Sequence, residues 1–475
     1  MAKTFRNARF KWLLLLVCIT FLFVGLYGCT KKEAEKAKDE PKTVIKSTKN
    51  SDKREFAFPE GFDFSKPVSL EEFPKWMKDH LNKLEWAKHK NYDTRLNRNL
   101  LEKTFDLAET FMVNFQKPEG NFHYQYDFVK KKMDRDDNQV RQAGSVWGLA
   151  LIYQYKQDEK VRVALEKGLK FFFKLNQPGE GEGALLLAYP GDSQCQTGTV
   201  ALIALSIVEY LRTEKDAGIK IDPAFRKEML GYLDGYIKHL KAMQLDDYHF
   251  SKSYNLLTKS RRNSSSPYFD GETMLCLIKT AKYLDQYKDL IPKLEETGIR
   301  LARDYTIEAW RKNQDSDKTK GFFQWSCMAF WEYQDAGWKH SETLGDYVLS
   351  LSWWMLHVHK TLIRRKGTGY AYEGLTHAYK LAETRGMNDA KLDLAYTIDK
   401  GLYKMNSWQV GNPIENNFLK NHPTDDPLAV GGYMNHRKQP PLRVDVTQHT
   451  VHAVSLSLEW VYTKKDPDGP KFEYQ

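Results

Sequence analysis

The sequence predicts an all-α protein folded as an (α/α)6 toroid, in which six outer helices surround six inner helices, behind a lipidated N-terminal tether. From about residue 58 to residue 465 the apolar residues recur at helical spacing, and convincing strand alternation is missing from the sequence there. The helices also fall into two kinds, one apolar on a single face and the other apolar nearly all round. An inner ring contacts neighbours on every side whereas an outer ring faces water on one, so this pattern favours a toroid.

Residues 1–28 have the composition of a secretion signal peptide. An apolar run from Trp12 to Leu26 follows four basic residues, Lys3, Arg6, Arg9 and Lys11. The run is shorter than the ~20 residues of a membrane-spanning helix. Leu26-Tyr27-Gly28-Cys29 resembles the lipobox of bacterial lipoproteins, which implies that Cys29 carries lipid such as palmitate and becomes the mature N-terminus. An ordinary secretion signal with an unmodified Cys29 is the alternative.

Residues 29–57 are predicted to be a disordered tether, because the chain from Thr30 to Glu55 holds almost nothing apolar. The whole chain has a formal charge of +10, of which the signal peptide carries +4 and the stretch from Lys31 to Glu55 carries +3. The folded part therefore carries about +3. Most of the net positive charge belongs to the leader and the tether, so nucleic acid is not an expected partner.

These N-terminal features predict a membrane-anchored bacterial lipoprotein that faces the periplasm or the cell surface. The membrane is its expected partner through the N-terminal lipid. Thr30, rather than aspartate, follows Cys29. By analogy with the lipoproteins of diderm bacteria, this indicates the outer membrane.

Residues 58–465 are predicted to form one toroid domain, followed by a C-terminal tail, 466–475. The one-sided helices are FPKWMKDHLNKLEWAK, NLLEKTFDLAETFMVNF, VRVALEKGLKFFFKL, FRKEMLGYLDGYIKHLKAM, LIPKLEETGIRLARDYTIEAW and KLDLAYTIDKGLYKM. The helices apolar nearly all round, which we assign to the inner ring, are Arg141–Tyr155, Cys195–Leu211, Phe269–Leu284, Gly345–His359, Gly369–Glu383 and Val446–Tyr462. The helices from Gly345 and Gly369 begin too close together for an outer helix between them, so one of these assignments conflicts with strict alternation.

Polar residues open most of the predicted inner helices: Arg141-Gln142, Glu272, Asp346 and the run Arg443–His449. The inner helices of a toroid run in the same direction, so their N-terminal ends meet at one face. We therefore expect these side chains to line a single cavity. A buried polar group without a partner costs about 1–3 kcal/mol, which is a further reason to expect that the cavity holds water.

The series RQAG, YFDGE, GDY before an apolar helix, and RVDVTQH resembles bacterial six-hairpin, glycosidase-like toroid proteins over most of residues 99–463. Many members act on uronic acids or other sugars as hydrolases, lyases or epimerases. The resemblance implies a cell-envelope protein that acts on an acidic polysaccharide or oligosaccharide, and it leaves glycoside hydrolase, polysaccharide lyase and uronate epimerase open. The alternative is a non-catalytic glycan-binding or envelope-assembly lipoprotein on the same scaffold.

Three residues are candidates for catalysis: Glu272, Asp445 and His449. Hydrolysis of a glycosidic bond usually needs two carboxylates, which Glu272 and Asp445 could supply. Acids at helix starts are also favoured by the helix dipole, so capping is the alternative. His449 lies four residues after Asp445 and could act as a general base, with His452 three residues further along. A hydrogen-bonded core histidine is the alternative for both.

Two arginines and a glutamine at these helix starts are candidates for substrate binding. The guanidinium groups of Arg141 and Arg443 match a carboxylate bidentately, so they could bind a uronate. They could equally form structural ion pairs with Glu272 or Asp445. Gln142, beside Arg141, is the third candidate in this group.

Tyr268 and Trp325, which we assign to loops, are candidates to stack on sugar rings, although large aromatic side chains also fill cores. Asp346 and His436 complete the predicted binding set. His436 could join the two histidines of the last helix as a metal ligand. However, the sequence has no CxxC motif, zinc-protease helix, P-loop or dinucleotide fingerprint, so we predict neither a metal nor a cofactor.

Overall fold

The computed structural model describes residues 58–473. Fifteen α-helices lie in this part of the chain: α1 Phe73–Leu81, α2 Arg98–Asn114, α3 Gln139–Tyr155, α4 Glu159–Phe173, α5 Thr197–Ala217, α6 Pro223–Ala242, α7 Pro267–Tyr283, α8 Ile291–Tyr305, α9 Ile307–Trp310, α10 Asp317–Asp335, α11 Ser341–His357, α12 Gly369–Thr384, α13 Asn388–Asn406, α14 Asn417–Lys420 and α15 Val444–Trp460. Two short 3-10 helices, Asp285–Leu290 and Thr361–Ile363, join them.

Six of these helices form a closed inner ring in the order α3, α5, α7, α10, α12 and α15. Each packs against the next, and α15 completes the circle against α3. The outer ring consists of α2, α4, α6, α8, α11 and α13, which alternate with the inner helices along the chain. The predicted (α/α)6 toroid is confirmed.

Burial separates the two rings as the sequence predicts. Helix α7 is buried without interruption from Asp270 to Ala281, because neighbouring helices cover every side of it. Helix α4 buries one stripe, which includes Val161, Leu165 and Leu169, at helical spacing. An inner helix therefore tolerates polar side chains only where they find a partner or a cavity.

The prediction that Gly345–His359 belongs to the inner ring is wrong. Helix α11 covers this stretch and lies in the outer ring, while the preceding α10 is the fourth inner helix. The apolar pattern of α11 resembles that of an inner helix because α1 and the chain before it cover the outer side of α11. Phe58 stacks on Trp353 with 5.7 Å between ring centroids, so this outer helix is apolar on both sides.

Glycine allows the inner helices to approach closely near their starts. A methyl group at Gly198, the second residue of α5, would collide with the carboxyl group of Glu272, the sixth residue of α7. A methyl group at Gly369, the first residue of α12, would likewise collide with Thr450, the seventh residue of α15. Neighbours that meet at matching positions run in the same direction, so the N-terminal ends gather at one face of the toroid, the N-terminal face.

Short strands lie in the loops that lead into the inner helices. They are β1 Gln125–Asp127, β2 Lys132–Met133, β3 Asn176–Pro178, β4 Leu185–Leu187, β5 Gln194–Gln196, β6 Ser253–Asn255, β7 Ser260–Arg261, β8 Met434–His436 and β9 Gln439–Arg443. They form antiparallel sheets in the orders β2-β1-β9-β8, β3-β4 and β5-β6-β7. Strand β9 runs directly into α15, and β5 into α5. These hairpins therefore lie at the N-terminal face.

Several predictions fall on residues that the structure does not describe. The signal peptide, the tether and Cys29 lie outside residues 58–473 and stay predictions, as do the domain boundaries. Within the described range, no helix combines the length and the apolarity that crossing a bilayer requires. Cys195, Cys276 and Cys327 are buried free thiols.

Candidate active site

An ion cluster of two arginines and one aspartate lies at the start of α15. Arg443 donates to Asp445 in a bidentate pair, Nε to Oδ1 at 2.7 Å and Nη2 to Oδ2 at 2.8 Å. Arg141, from the start of α3, places its Nε 3.2 Å from Asp445 Oδ2 and keeps its side chain 37% exposed. Two guanidinium groups share one carboxylate, so the cluster has a net positive charge and unused donors for a second anion.

A buried glutamate, Glu373 of α12, bridges two histidines of α15. Its Oε2 lies 3.0 Å from His449 Nδ1, and its Oε1 lies 2.8 Å from His452 Nδ1. The amide Nε2 of Gln324, on α10, lies 3.3 Å from Glu373 Oε2. Glu373 is completely buried, whereas the His449 side chain is 21% exposed. The carboxylate therefore holds the His449 ring by Nδ1 and leaves Nε2 free to react.

Charge pairing sets the protonation states in this part of the site. Burial lowers the pKa of His449, but the neighbouring Glu373 and then Asp445 outweigh it, so the pKa lies above its ordinary value of 6.5. Burial raises the pKa of Glu373, but the two histidines outweigh it and hold the pKa below 4.5. Asp445 is likewise held ionised, because the arginines lower its pKa more than burial raises it. Near neutral pH, Glu373 and Asp445 are anions.

Glu272, on α7, has the opposite character. It is 4% exposed, and its Oε2 has no hydrogen-bond partner among residues 58–473. Burial raises the pKa of this carboxyl group well above 4.5, with no opposing charge beside it. A carboxyl group with a raised pKa keeps its proton to higher pH than an exposed one and can donate it, which is the property of a general acid.

Aromatic side chains connect Glu272 with the histidines. The Trp325 ring lies 6.0 Å from the His449 ring and 5.4 Å from the Trp147 ring. Its side chain also packs against Gly271, the residue before Glu272. Tyr268 is 47% exposed and interacts electrostatically with Glu272 and Arg141. Trp325 and Tyr268 thus connect the buried Glu272 with His449 and Arg141 at the N-terminal face.

Some predicted binding residues occupy other environments. Trp325 lies inside α10 and is 4% exposed, and Tyr268 is the second residue of α7, so the assignment of both to loops is wrong. Asp346 lies on the outer helix α11 and pairs with Arg385 at 2.5 Å, so it does not open an inner helix as predicted. That error follows from the misassigned ring position of α11.

Gln142 and His436 lie near the site in supporting positions. The Gln142 side chain bonds both backbone groups of Phe122 and also Asp137, which fixes the loop before α3. Its carbonyl and amide are thus engaged within the protein. His436, at the end of β8, is half-buried and accepts from the backbone N–H of Lys438.

Sequence reasoning missed Glu373 and Gln324. Both lie about one turn or more inside an inner helix, whereas the catalytic candidates predicted from the sequence were chosen at the starts of inner helices. A usable signal was the acidic residue itself, since Glu373 interrupts the otherwise apolar and small face of GYAYEGLTHAY. A charge in the middle of a helix buried all round requires a charged partner.

The described residues do not assemble a metal centre. Within residues 58–473, no three histidine, cysteine or acidic side chains converge as ligands for an ion. Both Nδ1 atoms of the histidine pair face the same carboxylate.

The fold is similar to solved structures of sugar-modifying enzymes. A D-mannose isomerase matches with a TM-score of 0.50 and 12% identity, over 78% of this chain and 100% of that one. A sugar epimerase from a ruminal bacterium matches with a TM-score of 0.48 and 11% identity, over 75% of this chain and 98% of that one. A family 76 glycoside hydrolase (mannosidase) from Bacteroides thetaiotaomicron has a TM-score of 0.45 and 15% identity, with coverages of 75% and 99%.

At these identities the likeness concerns the fold alone. Comparison with protein-family models finds no match, and neither does a search of curated protein sequences.

Proposed function

We propose that this protein is a lipid-anchored enzyme of the bacterial cell envelope that moves a proton on an anionic sugar, as a uronate epimerase or a polysaccharide lyase. The observation that carries the proposal is Glu373, whose buried carboxylate orients His449 and raises its pKa. A histidine held this way is equipped to take a proton from carbon. The fold, shared with a D-mannose isomerase, supports sugar chemistry of this kind.

His449 is the proposed base. Nδ1 is occupied by Glu373, so Nε2 takes the proton from C5 of a uronate residue. The C5–H electrons move into the adjacent carboxyl group and form an enediolate. Arg141 and Arg443 bind that carboxyl group through the donors that Asp445 leaves unused, and they stabilise its added negative charge.

Glu272 is the proposed acid. In an epimerase it returns a proton to C5 from the opposite side, which inverts the centre and leaves Glu272 ionised. In a lyase the same electrons form the C4–C5 double bond, the C4–O bond breaks, and Glu272 protonates the departing oxygen. Both steps need a carboxyl group that is protonated at the start, as burial of Glu272 provides.

Hydrolysis is the second candidate, because one observation favours it. Glu272 and Asp445 are carboxyl groups with pKa values shifted in opposite directions, and such pairs supply the acid and the base of glycosidases. Against this role, Asp445 is already bound by Arg443 and Arg141. A nucleophile or base in that position would have to leave two guanidinium groups.

The test is incubation of the full chain with a panel of uronate-containing and neutral envelope oligosaccharides in deuterated water, followed by NMR. Deuterium at C5 with inversion identifies an epimerase, and a C4–C5 double bond identifies a lyase; either supports the proposal. Both signals should disappear in His449→Ala and Glu272→Gln. New reducing ends without either signal would replace the proposal by hydrolysis, and binding without turnover would replace it by a glycan-binding role.

A further inference from the structure

The four-stranded sheet beside the active site ends in two hairpin turns that lie at the same end. Asp127, the last residue of β1, pairs with Pro441 near the start of β9. His436, the last residue of β8, pairs with Gln439, the first residue of β9. The turn that joins β1 to β2 and the turn that joins β8 to β9 are therefore neighbours, and together we call them the sheet tip.

Basic side chains are concentrated at the sheet tip. One turn and the strand after it contribute Lys130, Lys131 and Lys132, and the other turn contributes Arg437 and Lys438, all exposed. Lys366 is bridged to β8 at His436 and adds, with Arg365, two more exposed cations beside it. The folded part as a whole carries only about +3, so this is a local concentration of charge.

Most of this charge has no partner among the residues that the structure describes. Lys130 lies 3.5 Å from Asp127. Among residues 58–473, Lys131, Lys132, Arg437 and Lys438 have no carboxylate within ion-pair distance. Like charges held together without counter-ions repel one another and raise the local potential, which attracts a polyanion.

The sheet tip is continuous with the active site through strand β9. At one end of this strand Gln439 adjoins the basic turn, and at the other end Arg443 holds Asp445 at the start of α15. From Lys438 to Arg443 is five residues, or about 16 Å along an extended strand. A chain that enters the site at Arg443 and follows β9 outward reaches the tip within that distance.

We propose that the sheet tip binds an anionic polysaccharide, specifically the part of the chain beyond the residue that reacts. This inference rests on the proposed function and specifies its substrate as a polymer with repeated negative charges. The same cations would attract an anionic membrane or a nucleic acid. The polysaccharide is favoured because the tip adjoins a site with unused arginine donors. A surface that inserts into a membrane usually exposes several large apolar side chains, whereas Val129 is the one large apolar side chain exposed in the turn between β1 and β2.

The test compares two quadruple variants with the same net charge. The tip variant is K131S, K132S, R437S and K438S. The control variant, K160S, K215S, K220S and K227S, removes four exposed lysines elsewhere on the toroid. Binding of the full chain to polygalacturonate, neutral dextran, anionic phospholipid vesicles and duplex DNA is measured at low and at physiological salt.

We expect the wild-type chain and the control variant to bind polygalacturonate and not dextran. The tip variant should bind polygalacturonate about tenfold more weakly, and added salt should remove the difference because exposed charges are screened. Equal polygalacturonate binding by the tip and control variants overturns the inference. So does loss of vesicle or DNA binding in the tip variant without any loss of polygalacturonate binding.

Turnover of a uronate disaccharide separates this inference from the proposed function. Such a short substrate cannot reach the tip, so the tip variant should process it at the wild-type rate. If the wild-type protein binds polygalacturonate through the tip but turns over no uronate, the proposed enzyme activity is wrong and the proposed binding surface is supported. If the tip variant loses disaccharide turnover as well, the tip is part of the catalytic machinery and the inference is wrong as stated.

Discussion

Replacing Glu373 by glutamine tests the central feature of the site, because it removes one negative charge and changes the shape of the side chain little. In the wild-type protein this carboxylate contacts His449 at 3.0 Å and His452 at 2.8 Å. An opposite charge at such a distance shifts a pKa by about 1–3 units. With the charge gone, burial opposes only the weaker influence of Asp445, so the pKa of His449 should fall.

Stability should change with a defined pH dependence. The pKa of folded His449 lies above 6.5, so its contribution is complete below pH 6.5 and is lost as the pH rises through the folded value. The pKa of folded Glu373 lies below 4.5, so its contribution is complete above pH 4.5 and is lost in more acidic solution. Glu373→Gln should therefore lower the free energy of unfolding most between about pH 4.5 and 6.5, by ~1–3 kcal/mol.

The assay is NMR titration of the histidine imidazole signals, combined with denaturant unfolding at several pH values. Asp346→Asn is the matched control, since it removes a carboxylate of the outer helix α11 that is paired with Arg385, the residue that follows α12. The control should leave the His449 titration unchanged. A His449 midpoint that stays in place or rises in Glu373→Gln would refute the reasoning. If the enzyme proposal holds, the acidic limb of kcat/KM should move to lower pH by the same amount.

Three other predictions concern single residues. Glu272→Gln should abolish turnover and leave the thermal midpoint at pH 7 unchanged or higher, because burial raises the pKa of the folded carboxyl group, so that its ionisation favours the unfolded chain above pH 4.5; calorimetry checks this. Asp445→Asn should lower the free energy of unfolding by several kcal/mol in denaturant titration, since it leaves two guanidinium groups without their anion. Cys29→Ser should abolish palmitate labelling and membrane fractionation, and persistence of both would exclude the anchor.

The ring architecture was largely predictable because burial on all sides leaves a simple mark on a helix. Five of the six inner helices were assigned correctly, each from a stretch apolar nearly all round. The failure at α11 has a local cause. Trp353 and Trp354 donate their indole N–H groups to the backbone carbonyls of Glu85 and Gln314, so both sides of this outer helix are covered. Periodicity reports how much of a helix is buried, and it cannot tell which neighbours bury it.

For the candidate site, the positions of the residues could be predicted from the sequence, but their pairing could not. Helix direction alone was enough to expect Arg141, Glu272 and the Arg443–His449 run at one face, because parallel inner helices bring their starts together. Whether those groups would be paired or left alone depended on side chains from other helices, and those partners lie deeper. Glu373, on α12, bridges two histidines. Glu272 lies on α7, on the other side of α10, and its Oε2 has no hydrogen-bond partner among the described residues. That difference explains why charged partners shift the pKa of His449, whereas burial alone raises the pKa of Glu272.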